Sequence, residues 1–268
     1  MRMMLRPTWI LCAVAAAGCA GLRERDGAAT ARAVVARSAA AVVPVKVVRS
    51  VKMSYQGREL PARESESEVL GTVLDDTGLI VASYAAVDPA SSGASARPGL
   101  KVDSEIKSVK LIPIAEGESE VPLKIVLRDK DLDLIFLRPE KATRLANLGL
   151  EKAGPELALM DDVIVVSRLG AVADRRPQVA VTRVRAVIDK PRRFYVASFL
   201  EGLTALGCPA FNRQGRLVGI FLMRTSRSGA GGGLLGGIGS RMLPVILPAA
   251  DVLEDVEQIK ENESEGEA

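Results

Sequence analysis

The chain has 268 residues, of which 48% are hydrophobic but only 3% are aromatic, and its formal charge at pH 7 is +3. This length suits one large domain or two small ones, with a core built mainly from aliphatic side chains. The weak, scattered positive charge argues against a nucleic-acid-binding protein. The absence of histidine from the whole sequence excludes every reaction that depends on an imidazole base.

The N-terminus has the pattern of an export signal. Arg2 and Arg6 precede an apolar run at 9–17, and small residues follow that run. A charged start, a short apolar stretch and small residues at its end are typical of a secretory signal peptide. The run is also too short to span a bilayer comfortably. We therefore predict that residues 1–18 form a signal peptide.

Cys19 follows Ala16-Ala17-Gly18, a pattern similar to the lipobox of bacterial lipoproteins. Lipidation of Cys19 would anchor the chain to a membrane, and Ala20 in place of an aspartate would favour the periplasmic face of the outer membrane. Two alternatives stay open: ordinary signal cleavage, which gives a periplasmic or secreted protein, and an uncleaved anchor. Residues 19–41, rich in alanine and arginine, are interpreted as a tether.

Short strand-like runs follow one another through the rest of the chain, separated by turn signals such as Asp75-Asp76-Thr77-Gly78. The predicted strands are Val42–Val51, Glu68–Leu74, Leu79–Ser83, Ile106–Ile114, Pro122–Leu127, Leu132–Leu137, Asp162–Ser167, Val179–Ile188, Phe194–Phe199, Leu217–Met223 and Met242–Ile246. Many short strands without long helical periodicity predict an all-β barrel or sandwich.

One helix is predicted near the end of the chain, where Pro248 suits a first helical turn. After it come apolar residues at helical spacing, namely Val252, Val256 and Ile259. The folded domain is predicted to cover residues 42–262. Residues 263–268 are interpreted as an acidic, disordered tail.

Three separated segments carry the strongest functional signal. The first, 74–88, places an Asp-x-x-Gly turn between two strand-like runs and continues as Tyr84-Ala85-Ala86-Val87. The second, 129–138, reads Asp-Lys-Asp-Leu-Asp-Leu-Ile-Phe-Leu-Arg, and the third, 202–212, reads Gly-Leu-Thr-Ala-Leu-Gly-Cys-Pro-Ala-Phe-Asn. In this order the segments resemble the trypsin-like serine proteases, specifically the bacterial HtrA/Deg branch.

The resemblance implies where the members of a catalytic triad would stand. The family's histidine position is Ala85 here, and its aspartate position is Asp133. With the third segment in register on Pro209, the serine nucleophile is replaced by Leu206. Because a serine nucleophile needs a neighbouring base, an aliphatic side chain at two of the three positions predicts an inactive homologue.

The same register assigns the oxyanion loop to Thr204, Gly207 and Cys208, so that two family glycines are replaced by residues with a Cβ atom. This replacement restricts the backbone angles of the loop. Cys208 has three open interpretations: a small core residue, a redox or intermolecular disulfide partner, or a catalytic thiol. Asp133 either bonds backbone amides as a relic of the triad or serves as a new general base.

The resemblance implies an all-β, chymotrypsin-like double β-barrel with a short C-terminal helix. The predicted function is binding of a polypeptide or protein partner in the cell envelope, held in extended form against a strand edge. The membrane contact would be the lipid on Cys19, and we expect no nucleic acid, cofactor or metal. The alternatives are an active hydrolase with unorthodox catalytic residues and a purely structural envelope lipoprotein.

Overall fold

The computed structural model of the chain describes residues 27–92, 99–114, 117–150, 154–198, 203–225 and 242–266. The predicted signal peptide, Cys19 and the first part of the predicted tether lie outside these ranges. Within them the chain forms thirteen strands in two antiparallel sheets and a helix near each end. The all-β architecture with a C-terminal helix is therefore confirmed.

The first sheet closes into a six-stranded barrel in the order β1-β2-β3-β6-β5-β4. Its strands are β1 (Val42–Tyr55), β2 (Arg58–Val73), β3 (Ile80–Ser83), β4 (Leu100–Leu111), β5 (Val121–Asp129) and β6 (Leu134–Pro139). Side chains alternate across each strand, so Val43, Val45 and Val47 of β1 all point to the same face and are buried. β-branched residues at these positions fill the barrel interior.

The second sheet has seven strands in the order β8-β7-β11-β12-β13-β10-β9. They are β7 (Asp162–Arg168), β8 (Pro177–Arg183), β9 (Ala186–Ile188), β10 (Phe194–Val196), β11 (Pro209–Asn212), β12 (Leu217–Thr225) and β13 (Met242–Pro248). The sheet curls because its two terminal strands, β8 and β9, are separated only by Val184 and Arg185. Val184 is buried in the core, and the N–H of Arg185 donates to the carbonyl of Val196 (2.7 Å).

The predicted strands recur at or near their expected positions, with three informative differences. The single strand predicted at Val179–Ile188 is divided into β8 and β9, because the chain leaves the sheet at Val184 and Arg185. β1 and β2 extend beyond the predicted segments because they continue as a paired hairpin up to Tyr55 and Arg58. β11 was not predicted as a strand, since its four residues follow directly on a turn and form part of the third motif. Both of its edges are paired, with β7 and with β12.

The closed first barrel and the curled seven-stranded sheet, a half-barrel that we call the second barrel, share a core rather than touching only at a rim. One buried cluster contains Leu79 and Phe136 from the first barrel together with Ile220 and Leu222 from the second. The C-terminal helix Ala249–Gly266 adds its apolar face to the same cluster through Val252, Val256 and Ile259. Burying one such aliphatic side chain contributes roughly 1.5–3 kcal/mol, so this cluster fixes the two barrels against each other.

Residues 27–38 form a helix in the segment interpreted as a tether. Ala31 and Val34 on one face of it are buried in the core of the second barrel. The guanidinium of Arg168 on β7 donates to the carbonyls of Ala39 and Val42 (2.5 Å each). Alanine-rich sequence thus packs closely on the barrel here, and the folded unit includes residues 27–41.

The C-terminal helix runs to Gly266, into the segment interpreted as a disordered tail. Its last turns are held because Glu263 forms an ion pair with Arg138 of β6. Near its start, Arg192 pairs with Asp251 (2.9 Å) and Glu254 (3.1 Å). Among the described residues, the helices lack the combination of length and apolar character needed to cross a bilayer.

Candidate functional site

The three predicted triad positions lie on short segments that connect strands. Ala85 is the second residue of the short helix Tyr84–Val87, whose N-terminus is capped by the Ser83 hydroxyl accepting from the N–H of Ala86 (3.2 Å). Asp133 directly precedes β6, and Leu206 lies in the turn before β11. The first two belong to the first barrel and the third belongs to the second.

Asp133 is buried, with 7% of its surface exposed, and its carboxylate accepts three hydrogen bonds. One oxygen accepts from the N–H of Ala85 (2.6 Å), and the other accepts from the Ser83 hydroxyl (2.6 Å) and the N–H of Met223 (2.7 Å). Its own carbonyl accepts from the N–H of Tyr84 (2.9 Å). Asp133 therefore joins the Tyr84–Val87 helix of the first barrel to β12 of the second.

The backbone of Asp133 adopts φ 65°, a left-handed conformation that aspartate tolerates better than most residues. Burial raises the pKa of its carboxyl group to about 6, although the hydrogen bonds from Ser83, Met223 and Ala85 oppose that effect. The carboxyl group is thus ionised at neutral pH and protonated in mild acid. These three donors hold the carboxylate in one orientation, in which it links the Tyr84–Val87 helix to β12.

Leu206 occupies the second position of a tight turn formed by Ala205–Cys208. The N–H of Cys208 donates to the carbonyl of Ala205 (2.9 Å), and Gly207 at the third position has φ 81°. This combination defines a type II turn, which requires a positive φ at its third residue. Leu206 itself is half-buried. The turn that would present a nucleophile is formed, but it presents an isobutyl group.

Position 207 requires glycine for two reasons: its positive φ, and the lack of space for a Cβ atom. A Cβ atom at this position would lie 2.3 Å from the carbonyl oxygen of Leu70 and 3.3 Å from the Cα of Ala82. The hydroxyl of Thr72 on β2 donates to the carbonyl of Gly207 (2.6 Å) in a buried setting. The turn of the second barrel is therefore docked on β2 and β3 of the first, directly before Ser83.

The other oxyanion-loop positions differ in exposure. Thr204 is exposed, whereas Cys208 is completely buried in the core of the second barrel. Burial strongly raises the pKa of the Cys208 thiol, and the nearby Arg168 guanidinium opposes this only in part. A reactive cysteine needs a lowered pKa and access to solvent. The geometry of Cys208 matches that of a small core residue.

The structure brings Asp133 and Ala85 into direct contact and places the Leu206 turn against the strand that leads to Ala85. Two participants were not singled out in the sequence. Ser83 stands inside the first motif, so its hydroxyl could have been considered as a partner of Asp133. Thr72 had no such signal, because it lies 135 residues from Gly207 in the chain.

No group in the described part of this site is suited to hold a metal. The nearest oxygen ligands are those of Asp133, and they are already used by three donors. Across the described residues, no set of three or more aspartate, glutamate or cysteine side chains is arranged to bind a metal ion. What the site offers chemically is a hydrogen-bonded backbone frame with aliphatic side chains at Ala85 and Leu206.

A closed six-stranded barrel and a curled seven-stranded half-barrel that meet at this frame, with a C-terminal helix, constitute a chymotrypsin-like fold. Among solved structures, the chain is similar to the "HtrA-type protease AlgWS227A with decapeptide", with a TM-score of 0.54 and 15% identity over 86% of this chain and 67% of that one. It is also similar to the MamO protease domain from Magnetospirillum magneticum in its apo form, with a TM-score of 0.49 and 15% identity over 82% and 97%. No protein-family model and no curated protein matches the chain.

Proposed function

We propose that the chain is an exported, lipid-anchored pseudoprotease that binds a polypeptide or protein partner in the cell envelope without cleaving it. The observation that supports this best is an intact backbone frame around unreactive side chains. The type II turn and the Asp133 hydrogen bonds are formed, yet the positions beside them hold Leu206 and Ala85. Leucine has no nucleophilic atom, and alanine cannot accept a proton.

The described site contains few groups that could replace the missing nucleophile and base of the triad. Asp133 could act as a base only by giving up hydrogen bonds that orient it, one of which, from Met223, links the two barrels. Cys208 is buried, and its thiol pKa is raised, so it stays protonated at neutral pH. Histidine is missing from the entire sequence. These points favour an inactive homologue over a hydrolase with unorthodox residues.

We place the proposed binding surface at the last residues of β12. The segment Met223–Thr225 pairs with β13 along one edge. On its other edge, among the described residues, β11 pairs with β12 only as far as Ile220, and the N–H of Met223 is held by Asp133. Extended peptides can add to such an edge through main-chain hydrogen bonds, which need no triad. We call Met223–Thr225 the β12 edge.

The proposed location and partner class rest on the sequence together with the surface charges. A signal peptide at 1–18 and a lipid on Cys19 would place the domain at the periplasmic face of the outer membrane; without the lipid it would be periplasmic or secreted. The basic stretch between 168 and 193 supports a protein partner over nucleic acid, because much of its charge is paired. The ion pairs are Arg175–Glu68, Arg183–Asp162, Arg192–Asp251 and Arg193–Glu156.

The experiment that tests this proposal measures turnover and binding on the same full-length protein. Unfolded casein is incubated with the wild type and with Cys208→Ala, and both cleavage and binding are followed. We expect binding without cleavage, and equal binding by both proteins. Cleavage that disappears in Cys208→Ala would contradict the proposal and identify a thiol hydrolase. Neither cleavage nor binding would favour a structural envelope lipoprotein.

The binding site is tested with a charge placed on the 205–208 turn. Leu206→Asp is expected to weaken casein binding about tenfold, because a desolvated carboxylate would face the bound peptide. Leu203→Asp serves as the matched control, since Leu203 is 41% exposed and lies just before the turn. Equal binding by both variants would place the partner elsewhere on the molecule.

A further inference from the structure

Exposed apolar side chains are concentrated on one part of the second barrel. Of the ten large hydrophobic residues that are exposed in the described chain, six lie between positions 159 and 181: Leu159, Met160, Leu169, Val172, Val179 and Val181. Val179 and Val181 have 42% and 58% of their surface exposed, although they belong to a regular strand. A cluster of exposed apolar side chains on a monomer marks an interaction surface more often than scattered single residues do.

Val179 and Val181 lie on the outer strand β8, and Met160 and Leu169 lie next to its two ends, since their N–H groups donate to the carbonyls of Val184 and Arg176. Along one edge β8 pairs with β7, from Asp162 opposite Arg183 to Arg168 opposite Pro177. No other described strand pairs with β8, which stands at the end of the sheet order. Val179 and Val181 point to the same face, so an apolar stripe of about 7 Å lies at the middle of the free edge, within a strand of seven residues at about 3.3 Å each.

Between its first residue, Pro177, and its last, Arg183, this edge lacks the features that protect other free edges. The segment 58–68 of β2 lies beyond the residues that pair with β3, and it contains Pro61. It also carries six charged residues: Arg58, Glu59, Arg63, Glu64, Glu66 and Glu68. Proline and charge of this kind block edge-to-edge pairing. Residues 178–182 of β8 are uncharged and contain no proline, so they remain competent to pair with another strand.

Positive charge lies at both ends of β8. Arg176 precedes β8 and Arg185 follows it, and both are exposed. Arg183 at the end of the strand pairs with Asp162 (3.1 Å) but still has 61% of its side chain exposed. A second copy of this chain would bring these arginines close to one another in an antiparallel pair. An added strand with acidic residues at its two ends would instead complement them.

We propose that β8 is a docking site for an extended polypeptide segment that has alternating apolar residues and acidic ends. The segment adds to the free edge through main-chain hydrogen bonds, with its apolar side chains over Val179 and Val181 and its acidic ends near Arg176 and Arg185. β7 and β11 separate β8 from β12 in the sheet. This site is therefore distinct from the β12 edge and does not depend on the function proposed for it.

The test uses the full-length chain and a fluorescein-labelled probe with the sequence Glu-Asp-Val-Thr-Val-Thr-Val-Asp-Glu, followed by fluorescence anisotropy. We expect saturable binding that weakens as salt is added, because the acidic ends contribute through charge. Two control peptides carry lysines at the ends or a proline in place of the central valine. Both should bind at least tenfold more weakly, since one reverses the charge and the other removes a main-chain donor.

Protein variants locate the site. The double variant Val179→Thr/Val181→Thr keeps β-branched side chains on exposed positions and should fold normally, yet weaken the acidic peptide about tenfold. Arg176→Glu/Arg185→Glu should also weaken it, and added salt should then strengthen binding instead of weakening it, because salt screens the new repulsion. Ile114→Thr, at a residue of the first barrel that is 45% exposed, is the matched control and should bind like the wild type.

Four results would overturn the proposal. The first is no binding of the acidic peptide to the wild type, and the second is binding to Val179→Thr/Val181→Thr as tight as to the wild type. Loss of binding in Leu206→Asp with no loss in the β8 variants would assign the peptide to the β12 edge. A dimer in sedimentation experiments that the β8 valine substitutions dissociate would show that this edge pairs with a second copy. If casein does not bind but the acidic peptide binds at β8, the proposed function fails and the β8 proposal stands.

Discussion

Replacing Gly207 by alanine should destabilise the protein far more than the same change at another glycine with the same backbone angle. At φ 81° a β-carbon costs about 1–2 kcal/mol by itself. At Gly207 that atom would also lie 2.3 Å from the Leu70 carbonyl oxygen, so the turn or β2 must move. The movement would weaken the buried bond from Thr72, which is worth about 1–3 kcal/mol. We expect a total loss of about 2–5 kcal/mol in the free energy of unfolding.

Gly57 provides the matched control. It also has φ 81°, at the tip of the β1–β2 hairpin, but no atom lies within 4 Å of the position of its missing β-carbon. Gly57→Ala should therefore cost only about 1–2 kcal/mol, the conformational contribution alone. Urea denaturation followed by circular dichroism measures both values. If the two variants differ by less than about 1 kcal/mol, the close docking of the 205–208 turn on β2 is refuted.

Three further predictions concern the same site and its surroundings. Burial raises the pKa of Asp133 to about 6, so the folded state binds this proton more tightly than the unfolded state. Relative to Asp133→Asn, the wild type should therefore lose up to about 3 kcal/mol of stability as pH rises from below 4 to above 6. Urea titrations in which the stability difference between the two proteins stays flat or rises with pH would contradict this. Native Cys208 should resist iodoacetamide at neutral pH and react in urea, as judged by mass spectrometry of its peptide; rapid native labelling would show an accessible thiolate. Val34→Ala should lower the free energy of unfolding by about 2 kcal/mol, and the same change at the half-buried Val35 should lower it less. If thermal melts show the same melting temperature for Val34→Ala and the wild type, the 27–38 helix does not support the domain.

Much of the fold could be predicted because its signals are local. Strands such as β7 and β12 are short β-branched runs bounded by turns, and the three motifs occur in the order of a known family. The packing of 27–41 could not be predicted in the same way. Alanine contributes little hydrophobicity by sequence, and what holds this segment is the remote guanidinium of Arg168 reaching the carbonyls of Ala39 and Val42.

In the candidate site, too, local sequence signals predicted some features, whereas contacts between distant segments could not be predicted. The positions of Ala85, Asp133 and Leu206 come from sequence motifs, but their surroundings depend on contacts between segments far apart in the chain. Met223 donates to Asp133 across 90 residues, and Thr72 holds Gly207 across 135. Backbone donors leave no signature in the sequence, because every residue except proline carries one. The hydrogen bonds by which Asp133 links the two barrels could therefore not be predicted from the sequence.

The C-terminal tail shows how one charge pair can change a local prediction. Glutamate-rich sequence near 263–268 has the composition of a disordered end. In the structure Glu263 meets Arg138 of β6, and the helix continues to Gly266. The apolar positions Val252, Val256 and Ile259 gave the correct helix, whereas its end is decided by a partner from another strand.

The central claim is that the chain binds extended polypeptides and does not hydrolyse them. Its most direct test is hydrogen–deuterium exchange of the full-length protein with and without unfolded casein, with intact-mass analysis of the same casein. We predict slower exchange of the amides in the β12 edge and in the 205–208 turn, with the mass of casein unchanged. Fragments of casein, or binding that leaves both segments exchanging as in the free protein, would contradict the account.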